Sequence, residues 1–513
     1  MGASDDLFQL IKSMSRSEKG YFKKFASKHT IGEKNSYVKL FDAIDAQNSY
    51  DEDALKQKFR NDRFVSSLYS TKNYLFNLAL KSLSAYHSEK YAVSKLNNML
   101  TELNVLFEKG LYKQFRTLLN KAIEIAKRND KMYYLAILYN KELTYVATDY
   151  FASENEVEFT KIKNKTLDNL ERLKIDEEYH LIYNELFLFS KQTGSVRNIK
   201  DLEKLNAILD NPIMKDEKYA VNFDARFKYY SIWGHYYRIL NDTENWYKYR
   251  KALLELMESE EKYIRENPRS YVLALNNYLN VCIANNRAVE FAHNLQKLKK
   301  YSEQFENKKE FIDLHTRIFL LVSDLELSFA IKTGKADKLS HIVENIEAGF
   351  SRYDKQILEN RKTSLHNRIA YACFLTGDYE KSIYYTNRIM NAANPRLEPE
   401  QHVLARIRSL IVHYEAGNYD LLEYSIKSTM RFLKKTDRAF KFEKLILNFL
   451  NKAVKYNSDS ERIELYEKLK SDIGKISNDQ FEKNVLEQFD FISWINSKIL
   501  DTEMLKVLKK KAV

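Results

Sequence analysis

Helix-stopping residues recur along this chain at a nearly constant interval, and that interval constrains its fold more than any other feature. Gly110-Leu111-Tyr112, Gly377-Asp378-Tyr379 and Gly417-Asn418-Tyr419 share one form, and Gly334-Lys335-Ala336-Asp337 is a variant of it. Glycine ends a helix because it alone enters the left-handed cap conformation without a Cβ penalty. The Tyr two residues on is then placed to pack between the two helices. Further breaks fall near Ser153, Gly194, Asn241-Asp242, Asn285-Asn286 and Asn457-Ser458. From Gly110 onward, consecutive breaks are roughly 40 to 48 residues apart, the length of one helical hairpin. Spacing of this kind predicts an array in which each hairpin buries its apolar face only against its neighbours.

Composition narrows the class. With 11 glycines and 4 prolines in 513 residues, turn formers are too few for a sheet-rich or loop-rich protein, so the fold expected is all-α. Hydrophobic residues at 44% and charged residues at 30% fit a folded globular chain. No stretch approaches the ~18 apolar residues that span a bilayer, and the acidic start Met1–Asp6 lacks a signal peptide's basic and apolar regions. Cys282 and Cys373 lie far apart inside helical patterns, so a reduced, cytoplasmic protein without disulfides is expected. A net charge of +12 permits nucleic-acid contact without demanding it.

Residues 1–90 stand outside the periodicity and read as a helical head domain. Ser15-x-x-Glu18 and Ser49-x-x-Glu52 are capping boxes, and a long helix is predicted from Phe64 to Tyr86. Residues 91–475 are expected to form about nine hairpins in a superhelical array, with helices such as 131–150, 154–173, 177–193 and 198–210. A single helix over residues 478–508 would cap its open end, making 476–513 a terminal segment. Pro212, Pro268, Pro395 and Pro399 fall between units or at first helical turns, where a missing N–H costs nothing.

Within Leu365–Pro395, the residues Ala370, Gly377, Tyr379, Ser382 and Pro395 follow a small, Gly, aromatic, small, Pro order. This unit resembles the tetratricopeptide repeat. Other units depart from it: after Gly417-x-Tyr419 the small position is held by Leu422, and the units are longer than that family's 34 residues. The resemblance implies an interaction scaffold and brings no catalytic residue with it.

Enzyme signatures are missing from the sequence. Phe329-Ala-Ile-Lys-Thr-Gly334-Lys335-Ala336 has the Gly-Lys pair of a phosphate loop, but lacks its first Gly and its Mg-binding hydroxyl. There is no His-Glu-x-x-His and no Cys-x-x-Cys. His402 and His413 are eleven residues apart on one predicted helix, too far to share a metal. No catalytic residue, metal site or cofactor is therefore expected.

The densest cluster of recognition-type residues is Tyr219–Arg250. Asn222, Arg226, Tyr229, Trp233 and Tyr236 recur at three- and four-residue intervals and so share one helix face. Phe223, Phe227, Tyr230, Gly234 and Tyr237 share the adjacent one, and Gly234 would admit a close neighbour. Aromatic rings with arginine supply rigid contact area and a carboxylate-binding fork, the chemistry of binding hot spots. The same rings would equally serve as core. In the head, Arg60, Arg63, Ser66, Ser70 and Asn73 lie near or along a polar helix face that is reminiscent of a helix-turn-helix, with Lys72 near the phosphates. Against that reading, acidic residues crowd 42–62, and no mid-face arginine could read guanine.

The expectation is a non-enzymatic scaffold or adaptor that binds a protein or peptide, an acidic one given the charge. The alternatives are a transcriptional regulator with a DNA-binding head and a ligand-sensing array, and an RNA-binding repeat protein.

Overall fold

The computed structural model describes residues 3–28, 36–88, 92–148, 156–306, 308, 311–353, 356–357, 361–391, 399–456, 458–479, 481–482, 486 and 489–511. Among them the chain is all-helical and has no strand. Cα packing divides it into two units, Met1–Ile175 with Phe305–Ile312, and Asp176–Gln304 with Asp313–Val513.

The first unit holds α1 (Ala3–Ser13), α2 (Arg16–Lys28), α3 (Ser36–Ala46), α4 (Glu52–Lys58), α5 (Leu68–His87), α6 (Ala92–Glu108), α7 (Tyr112–Arg128), α8 (Met132–Val146) and the start of α9 (Glu156–Thr193). Its buried apolar side chains form two clusters, one running from Leu7 to Ala79 and the other from Leu96 to Ile162. The first is knit by Phe22 stacked on Phe41 at 4.4 Å. The capping box at α2 forms as expected: the Ser15 amide donates to Glu18 at 2.7 Å, and the Glu18 amide to the Ser15 hydroxyl at 3.2 Å. The second box does not form. Asp51 caps α4 through the Ala54 amide, which puts Glu52 at the first helical position instead of the third, and the Glu52 carboxylate bonds to Lys72 and Tyr50. The helix expected from Phe64 begins at Leu68, after a 3-10 turn over Arg63–Ser67.

Helix α9 overturns another boundary. The break expected between residues 173 and 177 is absent, and the helix runs unbroken from Glu156 to Thr193. Glu171-Arg-Leu-Lys-Ile-Asp-Glu-Glu178 contains no Gly, Pro or Asn, so nothing in it stops a helix. The breaks proposed near Ser153 and at Asn457, like Pro395, lie outside the described residues.

The second unit continues with α10 (Ile199–Leu209), α11 (Phe223–Leu240), α12 (Thr243–Glu258), α13 (Glu261–Glu266), α14 (Pro268–Ala284), α15 (Ala288–Glu303), α16 (Ile312–Lys332) and α17 (Ala336–Arg352). Then follow α18 (Thr363–Leu375), α19 (Tyr379–Met390), α20 (Pro399–Glu415), α21 (Tyr419–Lys435), α22 (Lys441–Ala453), α23 (Asp459–Ser477), α24 (Phe491–Ile499) and α25 (Met504–Lys511). Most extensive packing is between helices close in sequence: α11 on α12, α12 on α14, α18 on α19, and α19 on α20.

One backbone device recurs at the turns. Gly110, Gly334, Gly377 and Gly417 all have positive φ, and the residue after each donates back to a carbonyl five residues earlier. Asp378 reaches Cys373 at 2.9 Å, and Asn418 reaches His413 at 2.9 Å. Asp130, Asn241, Asn286, Asp437 and Asp501 make the same turn with φ between 45° and 57°. This left-handed cap satisfies carbonyls that a helix end would leave bare. A Cβ at Gly377 would meet nothing within 4 Å, so its φ of 78° is the sole objection to a side chain there. Gly377→Val should therefore cost about 1–2 kcal/mol in chemical denaturation; an unchanged midpoint would contradict this account of the turn. The tyrosines after the glycines behave less uniformly than expected. Tyr379 is half-buried against Phe374, whereas Tyr419 is 36% exposed beside Tyr414. In the α18–α19 hairpin the small residues do meet: the buried Ser382 hydroxyl donates to the Ala370 carbonyl at 2.7 Å.

Packing in the second unit also reaches far beyond neighbours. Residues just after α9 bond to the late helices across some 200 to 285 positions. The Arg197 guanidinium donates to both Glu443 oxygens at 3.0 and 3.1 Å and to Glu482 at 2.8 Å. Ser195 donates to Glu400 at 2.7 Å, and Arg438 donates to the carbonyls of Gln192 and Thr193. Neighbour-only packing therefore does not describe this unit. The end of the chain differs as well, since two short helices replace the single one expected over 478–508. Asp479 turns the chain by accepting the Phe481 amide, and Glu482 caps α22 through the amides of Lys441 and Phe442. Phe489, Phe491 and Trp494 then bury among Tyr371, Phe374, Phe442, Phe449 and Tyr466.

Candidate functional site

Helix α11 starts where Asn222, in extended conformation, accepts the Ala225 amide at 2.6 Å, and it stops at the left-handed Asn241. Asp242 caps α12 through the Asn245 amide, so the two helices are joined by two residues and pack along their length. The α11–α12 hairpin positions the aromatics of this cluster from Phe223 to Tyr249.

The five residues of the expected binding face are placed differently from one another. Asn222 is buried as the cap, and Tyr229 is buried at 6% exposure. Trp233 and Tyr236 are half-buried, and Arg226 is exposed. Trp233 stacks with Tyr237 at 5.5 Å and Tyr249 at 5.9 Å, while Tyr229 and Tyr236 meet it edge-on. The Tyr236 hydroxyl donates to Asn206 of α10 at 2.9 Å. Trp233 Nε1 is buried and meets no acceptor in good hydrogen-bond geometry among the described residues. Arg226 forms no ion pair among the described residues. What the face offers a partner is thus one free guanidinium and the outer edges of a braced aromatic stack.

The adjacent face has a different task. Gly234 faces α12, and a Cβ there would lie 2.9 Å from Nε of Arg250 and 3.1 Å from its Cδ and Cζ. The glycine makes room for a guanidinium. Phe223 packs on Tyr263 of α13 at 4.1 Å, and Tyr230 donates to Glu217. Tyr183, Phe187 and Ser190 of α9 also reach this hairpin, as Phe187 near His235 and Ser190 bonded to Arg238 show. Nothing in the local sequence pointed to them, because the pairing spans some 48 residues and only the packing creates it.

In the head, Arg60, Arg63, Ser66, Ser70 and Asn73 are all exposed. The Ser66 and Ser70 hydroxyls donate to carbonyls three residues back, at 2.9 Å each. Lys72, expected near phosphates, is instead buried at 2% exposure with its ammonium 2.5 Å from Glu52. Bonds from Lys72 and Lys56 hold that carboxyl down at about 2. A lysine committed in this way cannot face a nucleic-acid backbone.

Cys282 and Cys373 are buried and unbridged, and burial pushes both thiols up to about 12. Among the described residues no group of His, Cys, Asp or Glu is arranged to hold a metal, and no helix is long and apolar enough to cross a membrane. No protein-family model and no curated protein matches this chain.

Proposed function

We propose that this chain is a non-enzymatic scaffold or adaptor, a tetratricopeptide-like array of helical hairpins that binds a protein or peptide through α11. The observation that supports the reading is the left-handed cap that recurs between successive helices, a turn suited to stacked hairpins. Such stacking leaves long helix faces available for partners while supplying no reactive group. Exposed Arg226 beside the Trp233 stack is the contact point proposed on α11. With a net charge of +12, an acidic segment or a C-terminal carboxylate is the partner chemistry favoured.

Arg226→Ala is the cleaner test, because Arg226 is exposed whereas Trp233 also braces Tyr237 and Tyr249. Its melting temperature should match wild type, while capture of the native partner from host extract should weaken by about 1–3 kcal/mol. Trp233→Ala should lose both capture and stability. Full retention by Arg226→Ala would remove α11 as the binding face. Recovery of duplex DNA, lost in Arg63→Ala, would replace the scaffold reading with a regulator.

A further inference from the structure

The interior of the α11–α12 hairpin holds a guanidinium, that of Arg250, which no carboxylate among the described residues pairs with. Arg250 of α12 is 4% exposed, its Nε has no acceptor, and no carboxylate lies within ion-pair distance of it among the described residues. It rests in the notch that Gly234 leaves open. His235, the next residue along α11, has a buried Nε2 that is likewise without a partner among the described residues. Burial, then Arg238 and Arg250, push this imidazole well below its usual range, so it is neutral at physiological pH. One turn further on, Arg238 is open to water and donates to Ser190 at 3.2 Å. Trp246, one turn before Arg250 on α12, carries a third buried donor, Nε1, with no acceptor among the described residues.

A buried guanidinium that pairs with no carboxylate and feels a second cation is unusual unless an anion joins it. Burial and Arg238 hold Arg250 down at about 9. Glu400 is the carboxylate whose charge acts on Arg238, yet it forms no ion pair with it and is bonded to Ser195. Elsewhere in the same unit a buried arginine is balanced: Arg197 has two carboxylates. Arg250 pairs with none among the described residues, although buried polar groups are as a rule satisfied.

We propose that Arg238 and Arg250, with His235 beside them, form a binding site for a small oxyanion, a phosphate or carboxylate group, between α9, α11 and α12. Arg250 supplies a fork held in place by Gly234, and Arg238 supplies the solvent-side contact. Neutral His235 can donate from Nε2 in the tautomer that protonates it. The site goes beyond the partner face, since it uses neither Arg226 nor the outer edge of the aromatic stack.

The test is titration of the full-length protein with inorganic phosphate, and separately with acetate, at ionic strength fixed with sodium chloride. Tryptophan fluorescence and melting temperature are the readouts. Wild type should respond saturably to at least one of the two anions, and the anion that responds names the group. Arg238→Gln, which changes an exposed side chain, should weaken that response about 10- to 100-fold, as expected for a lost charged hydrogen bond. Arg250→Met should abolish it and melt no lower than wild type in anion-free buffer. General salting effects would stabilise wild type and variants alike. No saturable response to either anion, or equal responses from wild type and Arg238→Gln, would overturn the proposal. If Arg250→Met does not fold, the Arg238→Gln comparison still decides.

Discussion

Arg197→Ala should destabilise the second unit by about 3–5 kcal/mol, among the largest single effects available in this chain. Arg197, Glu443 and Glu482 have side chains only 7%, 1% and 4% exposed. One guanidinium serves two carboxylates and lies over the Phe440 ring at 4.5 Å. Its removal leaves two anions in a dry site, and the desolvation that their attraction to Arg197 had offset becomes a net cost. Adding Glu443→Gln to Arg197→Ala should recover part of the loss, because one stranded charge is then gone. Glu482 cannot be neutralised as cleanly, since its oxygens also accept the amides of Lys441 and Phe442. The three tryptophans, Trp233, Trp246 and Trp494, all lie in the second unit, so fluorescence-detected urea unfolding reports on it selectively. A loss under 1 kcal/mol would mean that the segment after α9 is not anchored by this triad.

Trp494→Ala should cost about 3–5 kcal/mol by the same measurement. The indole is 1% exposed and meets Phe449, Tyr466 and Phe489 edge-on between 5.9 and 6.3 Å. Its Nε1 donates to Glu415 at 2.8 Å, and Lys498 pairs with the same carboxylate. Alanine would leave a large cavity where α20, α22, α23 and α24 converge and would strip Glu415 of one donor. Trp494→Phe keeps most of the volume and should cost roughly half as much. An alanine variant as stable as wild type would show that α24 does not close this core.

Local chemistry was legible in the sequence, and distant pairing was not. Gly110, Gly334, Gly377 and Gly417 announced helix ends because their φ requirement depends on the residue itself. Asp130 and Asp437 make the same cap but gave no equally clear signal, since aspartate enters the left-handed region only when its surroundings select it. The Ser15 box was readable, whereas the cap at Asp51 in place of Ser49 was not, nor was the bond to Glu52 from Lys72, twenty residues on. On α11, periodicity placed Asn222, Arg226, Tyr229, Trp233 and Tyr236 near one another but could not show which would be covered. Tyr249 and Asn206 decide that, and they arrive from other helices. Arg250 was visible only as a letter; its lack of a carboxylate partner among the described residues is a property of the packing.

The scaffold reading is tested most directly by placing a photo-crosslinking residue at position 226 and another at the distant, 85% exposed Val289, both in the full chain in its native host. If α11 receives the partner, position 226 should crosslink one protein reproducibly, through an acidic segment or C-terminus, while position 289 should not. Equal yields of the same products from both positions, or no specific product from 226, would contradict the account.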